Sequence, residues 1–342
     1  MFSYYFRLGL RSLRRNVILT GLMIAAIAVG IGACMTALTV FRAMSGDPIP
    51  EKSSQLYTPQ IDNWAPDRPP GETPDKLEQL LSYIDVSALR QAHAAKRQAA
   101  MFASILSLRP VDPQQKPFKA MVRTTDADFF PMFDVPFKYG RPWSVSEDEN
   151  RGAVAVLTRE MNEKLFGGKN SVGKTVRLDG EPYTVVGVLD QWQVLPKFYD
   201  LQVQPFSRFD ELFIPFTRAI EKQMRVLGST RCNGELGPGF DGLLKSECIW
   251  LQFWVELPTA ADAAKYRAFL NNYAAEQQRL GRFHWPPHTA LRDVMEWLHY
   301  RNVVPNEVRI LILVSFGFLL VCLMNAMGLM LAKIMGRAGD IG

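Results

Sequence analysis

The sequence predicts an α+β domain strung between two transmembrane α-helices, and three observations carry that expectation. Residues 17–40 and 310–332 form runs of 24 and 23 residues without a charge. At a rise of about 1.5 Å per residue, such helices cover the roughly 30 Å hydrocarbon core of a bilayer. The 267 residues between them, 43–309, mix strand-like and helix-like segments with no regular βαβ rhythm, which favours α+β over a doubly wound sheet.

The totals narrow the function classes. The chain has 342 residues, 48% apolar and 21% charged, with a net charge of +5. That is enough to bury a sizeable core in one or two domains. Residues 1–42 hold five Arg and no acid, and residues 333–342 hold Lys333, Arg337 and Asp340. Residues 43–332 then carry 32 basic and 33 acidic side chains, a net of −1. The positive excess therefore flanks the apolar runs, as membrane topology requires, and forms no basic patch suited to nucleic acid.

The head, residues 1–16, places Phe2, Phe6, Leu10 and Leu13 on one helical stripe, with Arg7, Arg11, Arg14 and Arg15 to the other side. That pattern suits a helix lying on a membrane surface, and equally an ordinary basic flank. Either way the cluster places the amino end in the cytoplasm, residues 43–309 outside it, and residues 333–342 back inside. The first apolar run exceeds the 7–15 residues usual for a signal-peptide core, which disfavours a cleavable leader. Gly21, Ala25, Ala28 and Gly32 recur at spacings of four, three and four, which lets a second helix approach closely. Gly and Ala are also simply common in membrane helices.

The outer domain opens with a stretch, residues 47–74, containing Pro48, Pro50, Pro59, Pro66, Pro69, Pro70 and Pro74, irregular apart from a strand over 57–61. A helix is expected over 76–100, with Leu77, Leu80, Leu81, Ile84 and Leu89 on its apolar side. Strands follow at 104–111 and 118–125, then a Phe-rich short helix and turn over 126–141. A strand at 153–157 and a helix at 158–166 precede a hairpin, 175–178 and 183–189, turning at Asp179-Gly180. Further strands are expected at 212–216 and 249–257. A long helix over 259–282 is capped by Thr259 with Asp262, and residues 289–300 read as helical. Pro305 suits the first turn of the second spanning helix.

Most candidate chemistry fails on inspection. Gly168, Gly173, Lys174 and Thr175 satisfy the G-x-x-x-x-G-K-[ST] phosphate-loop pattern. That chemistry needs a strand before the loop and a helix after it, so that helix-terminal amides hold phosphate. Here a helix precedes and a hairpin follows, so the match is read as false and no cofactor is expected. Cys34 and Cys322 lie within the spans as small apolar residues. Cys232 and Cys248, 16 positions apart outside the cytoplasm, are expected to form a disulfide contributing about 3 kcal/mol by loop entropy. His284 and His288 share the loop HWPPH, whose prolines prevent a helical metal-binding face, so no metal site is expected. No catalytic triad or paired-carboxylate arrangement stands out. Asn325, an amide inside the second span, is read as glue against another helix, with a transport path as the minor reading.

Residues 154–189, VAVLTREMNEKLFGGKNSVGKTVRLDGEPYTVVGVL, resemble the periplasmic core of MacB/FtsX-type ABC transporter permeases. In that family a helix ending LFGG leads to GKT-x-x-L and a TVVGV strand, which accounts for the phosphate-loop match. The head LRSLRRN, the segment TTDADFFPMFDVPFKYGR and the tail CLMNAMGLMLAKIMGRAGDIG agree. The resemblance implies a four-span permease of the bacterial inner membrane, dimeric, partnered by separate cytoplasmic ATPase subunits and a periplasmic adaptor. Such a chain has no nucleotide site and relays ATP-driven motion to its periplasmic domain, handling efflux or envelope substrates. That domain has a mixed α/β lobe and an inserted, mostly β lobe, expected here at about 140–245. Arg337, Asp340, Ile341 and Gly342 match the family's R-x-x-E-I-G segment and imply the start of the ATPase contact. The family pattern continues through two further spans, whereas this sequence stops at Gly342. The competing reading is a two-span sensor whose outer domain binds a ligand.

Overall fold

The computed structural model describes residues 17–62, 77–110, 116–202, 205–206, 210–232 and 234–338. They form two compact units, the paired apolar helices and the domain Asp47–Tyr300. The basic head, Pro66, Pro69, Pro70 and Pro74, and the coupling residues Asp340, Ile341 and Gly342 lie outside the described residues.

Helix α1 (Val17–Ser45) covers the first uncharged run and continues five residues past it. Strand β1 (Leu56–Ile61) follows a turn, and the two-residue strand β2 (Leu81–Ser82) leads into helix α2 (Tyr83–Ala92). The helix expected over 76–100 is thus only ten residues long. Ser82 starts it, its Oγ accepting from the Asp85 amide, and His93 ends it in the left-handed region at φ 46°. The remainder opens β3 (Arg97–Arg109), whose residues 98–104 are buried without interruption. A strand covered on both faces shows no period-two alternation, which is why its first half does not read as a strand.

Strand β4 (Phe118–Thr125) pairs with β3, and the Phe-rich segment yields helix α3 (Phe129–Met132) and strand β5 (Phe137–Gly140). Helix α4 (Val145–Glu149) is closed by a Ser144–Glu147 capping box. Strand β6 (Val154–Leu157) and helix α5 (Arg159–Phe166), capped by Thr158, fall where the pattern puts them. Strands β7 (Thr175–Leu178) and β8 (Glu181–Leu189) make the hairpin. Its turn residues Asp179 (φ 46°) and Gly180 (φ 86°) are both left-handed, as a two-residue type I′ turn demands.

Strand β9 (Leu212–Pro215), helix α6 (Phe216–Glu221), strand β10 (Arg231–Cys232) and helix α7 (Gly239–Leu244) come next. Strand β11 (Cys248–Glu256) is followed by helix α8 (Ala260–Arg279), with the Thr259–Asp262 capping box at its start. Residues 289–300 are not one helix. Thr289–Asp293 form strand β12, laid along β1, and only Val294–Tyr300 are helical, as α9. Asp293 makes the break, its Oδ1 accepting from the Glu296 amide (2.8 Å) at the new helix start. Helix α10 (Asn306–Ala338) begins one residue after Pro305 and, at 33 residues, is about 50 Å long.

The strands join in the order β12-β1-β11-β3-β4-β9-β6-β8-β5, with β2 and β10 on β11 and β7 bridging β3 and β8. Among these pairs β4–β9 and β6–β8 are parallel, the others antiparallel. An aromatic core fills the space beside β4: Phe129 meets Phe133 edge-on at 4.7 Å, Phe133 meets Phe198 at 5.2 Å, and Phe198 meets Trp254 at 5.0 Å. Such edge-to-face pairs add about 1 kcal/mol each to their area burial.

Candidate functional site

The loop at Gly168–Thr175 is built in the order helix, loop, strand: α5 precedes it and β7 begins at Thr175. Its amides serve the fold itself. Gly168 donates to Asn162, Gly173 to Val185 and Lys174 to Ser171, while the Lys174 ammonium sits 5.0 Å from the Phe166 ring centre. Cys232 and Cys248 face each other across β10 and β11 and are joined as a disulfide.

In the helix unit, Gly30, Cys34 and Ala37 of α1 are buried, as are Ser315, Cys322 and Ala326 of α10. Gly30 marks the close approach, since a Cβ there would stand 3.0 Å from Leu319 Cδ1 and 3.7 Å from Cys322 Sγ. Gly21, Ala25, Ala28 and Gly32 are exposed. At about 100° per residue they lie on the opposite side of α1, so the stripe with the tidiest spacing is not the one α10 uses. Asn325 is likewise exposed on α10. Arg337 lies in the last turns of α10.

Two buried charge clusters went unread in the sequence, and both hang on β4. Arg123, fully buried in mid-strand, donates from Nη2 to Asp200 Oδ2 (2.6 Å) and Asp210 Oδ1 (2.9 Å), and from Nε to Asp210 (3.2 Å). The Tyr199 hydroxyl donates to Asp210 Oδ2 (2.8 Å), the Lys197 ammonium stands 3.6 Å from the same oxygen, and Gln252 donates to Asp200. Burial alone would raise the Asp210 carboxyl. Arg123 and Lys197 outweigh it and hold the group down to about 2. The acids come from the long 190–211 connection, so this cluster ties that connection to the central strand.

The second cluster begins three residues further on. Arg90 of α2 gives Nε and Nη2 to the Asp126 carboxylate, which also takes the Ala100 amide (2.8 Å). Asp148 of α4 accepts from the Ala127 amide (3.0 Å) and the Thr217 hydroxyl (3.1 Å). Burial first, and then the charge of Asp126, push the Asp148 carboxyl up to about 7. Both acids line a cavity of about 340 Å³ between α2, the start of β3, the turn after β4, and α4. The only sequence signals for these groups were an Arg inside a strand pattern and acids beside short helices, and both are common in surface positions too.

The class the fold defines is a mixed α/β domain carried between two helices long and apolar enough to cross a membrane. The chain belongs to the family described as MacB-like periplasmic core domain, whose model matches residues 20–273. It is 26% identical over 169 residues, 49% of the chain, to the macrolide export ATP-binding/permease protein MacB of Pasteurella multocida. It is 27% identical over 119 residues, 34% of the chain, to the pyoverdine export ATP-binding/permease protein PvdT of Pseudomonas fluorescens. The matches span 23% and 18% of those relatives' lengths. Among solved structures, the periplasmic region of MacB from Actinobacillus actinomycetemcomitans is similar at 15% identity and TM-score 0.43, covering 76% of this chain and 94% of that one. The extracellular domain of the transporter YknZ from Gram-positive bacteria follows at 13% identity and TM-score 0.43, covering 68% of this chain and 99% of that one.

Proposed function

We propose that this chain is the permease part of a MacB-like ABC transporter, converting ATP-driven motion of a separate cytoplasmic ATPase into motion of its periplasmic domain. The observation that carries this reading is a family match that begins inside the first apolar helix and covers the folded domain as far as residue 273. The relatives' printed roles in export support efflux or envelope-substrate handling as the outcome. On this reading the amino end is cytoplasmic and the chain sits in the inner membrane as a dimer, with a periplasmic adaptor as a further partner. Residues at about 140–245 make the inserted lobe. The exposed stripe Gly21, Ala25, Ala28 and Gly32 and the exposed amide Asn325 face neighbouring helices, because an amide in lipid gains by finding a hydrogen-bond partner.

The test is co-purification. Full-length permease should retain a cytoplasmic ATPase, and Asp340→Ala combined with Ile341→Ala should release it while the permease stays folded. An ATPase that never co-purifies would sink the reading in favour of a two-span sensor. Lys174→Ala should leave the ATP turnover of the assembled system unchanged, since the Gly168–Thr175 amides already serve internal partners. Cysteines placed at Ala25 and Ala28 should cross-link two copies in membranes, and a strictly monomeric product would remove the dimer from the model.

A further inference from the structure

The cavity beside Asp148 has an unusual charge inventory. Its cations are already engaged: Arg90 with Asp126, and Lys96 and Arg97 with Glu256 at 3.0 and 2.8 Å. Asp148, 5% exposed, accepts from an amide and a hydroxyl, and among the described residues no cation lies within ion-pair distance of it. Gln98, 9% exposed, lines the same cavity. Its Nε2 donates to the Arg90 carbonyl (2.6 Å), and its buried Oε1 has no hydrogen-bond partner. A buried acceptor without a donor costs about 1–3 kcal/mol. Gln98 Oε1 is such an acceptor, and the Asp148 carboxylate, though hydrogen-bonded at both oxygens, has no ion-pair partner; together they point to a charged donor that arrives from outside.

We propose that this cavity binds a small organic cation bearing N–H donors, a primary or secondary ammonium, received by the Asp148 carboxylate and Gln98 Oε1. A cavity of about 340 Å³ lies at the small end of organic-ligand pockets, and the described residues hold no cluster of ligands arranged for a metal ion. The bound ammonium takes the place of the cation that Asp148 lacks. Charged and titratable groups line the cavity around that carboxylate from each neighbouring element: Arg90 and His93 from α2 and its end, Lys96 and Arg97 from the start of β3, Asp126 and Asp128 from the turn after β4, Glu149 from α4 itself, with the neutral Thr217 hydroxyl from α6. Binding strengthens as Asp148 loses its proton.

Isothermal titration of the full chain in detergent tests this with n-butylammonium and putrescine as probes. 1-Butanol, which lacks the charge, and tetramethylammonium, which lacks the N–H, are the controls. Saturable ammonium binding is expected, tighter at pH 8 than at pH 6, weakened at least about tenfold by Asp148→Asn and several-fold by Gln98→Met. Asparagine keeps the size and the acceptor of Asp148, and a thermal melt checks each variant's fold. If Asp148→Asn does not fold, Gln98→Met decides alone. No saturable binding, equal affinity in the Gln98→Met and folded Asp148→Asn variants, or butanol binding as well as butylammonium would overturn the proposal. Ammonium binding involves no ATPase contact, so its failure leaves the permease reading untouched.

Discussion

Arg123 and Arg90 serve two acidic clusters, one on β4 and one at the turn that follows it, and the clusters have opposite character. At Arg123, two carboxylates meet an arginine and a lysine, and Asp210 is held down to about 2. At Arg90, two carboxylates share one arginine, which Asp126 monopolises, and Asp148 is left at about 7. All four carboxylates are buried, so what separates Asp210 from Asp148 is the charge around them, two cations at the one and a second carboxylate beside the other. The balanced cluster is a structural tie, and the unbalanced one is a site with capacity to spare.

The largest expected effect comes from breaking the balanced cluster. Arg123→Met leaves Asp200 and Asp210 buried without their main cation and should cost about 3–5 kcal/mol in denaturant unfolding. A loss below about 1 kcal/mol would mean that the tie is ornamental. Arg90→Met should cost less, about 2 kcal/mol, because Asp126 and Asp148 line a cavity and are free to hold protons instead. Equal losses in the two variants would erase the distinction drawn between the clusters.

Asp148→Asn should move stability the other way. The folded carboxyl titrates near 7, well above its unfolded value, so between roughly pH 4 and 7 the folded chain keeps a proton that the unfolded chain has lost. Native stability therefore falls as pH rises through that window. The asparagine variant should lose this slope and be the more stable of the two at pH 8. A parent whose stability rises from pH 5 to pH 8 more steeply than that of the variant contradicts the assignment. Smallest is Tyr199→Phe, which removes one hydroxyl from Asp210 and should cost about 1 kcal/mol with no change in the pH slope around 7.

What the sequence revealed and what it hid follow from the range of the interactions. The hairpin at Asp179-Gly180, the Thr259–Asp262 cap and the Cys232–Cys248 pairing depend on residues close in sequence, and they were legible. The first half of β3 was not, because burial on both faces erases the alternation that marks a strand. Strand β12 was hidden because its reason for existing, the open edge of β1, lies more than two hundred residues away. The charge clusters join Arg123 to Asp200 and Asp210, and Asp148 to Thr217, across separations of 69 residues and more. Nothing local distinguishes these side chains from solvated surface charge. On α1 the eye followed regular spacing to Gly21, Ala25, Ala28 and Gly32, while α10 packs against the face holding Gly30, Cys34 and Ala37.

The pairing of β1 with β12 gives the domain a direction of weakness. These are the first and last strands of the domain, antiparallel neighbours, with Tyr57 opposite Asp293 at the end nearest the chain's entry and exit, and Ile61 opposite Thr289 at the far end. A tensile load drawing entry and exit apart meets the Val294 amide on the Ser53 carbonyl first, and only then the Tyr57–Asp293 rung and the four rungs beyond it. A displacement carrying both ends together leaves every rung intact. Spreading thus reaches the β1–β12 seam from one end, rung by rung, whereas a shared displacement loads none of its rungs.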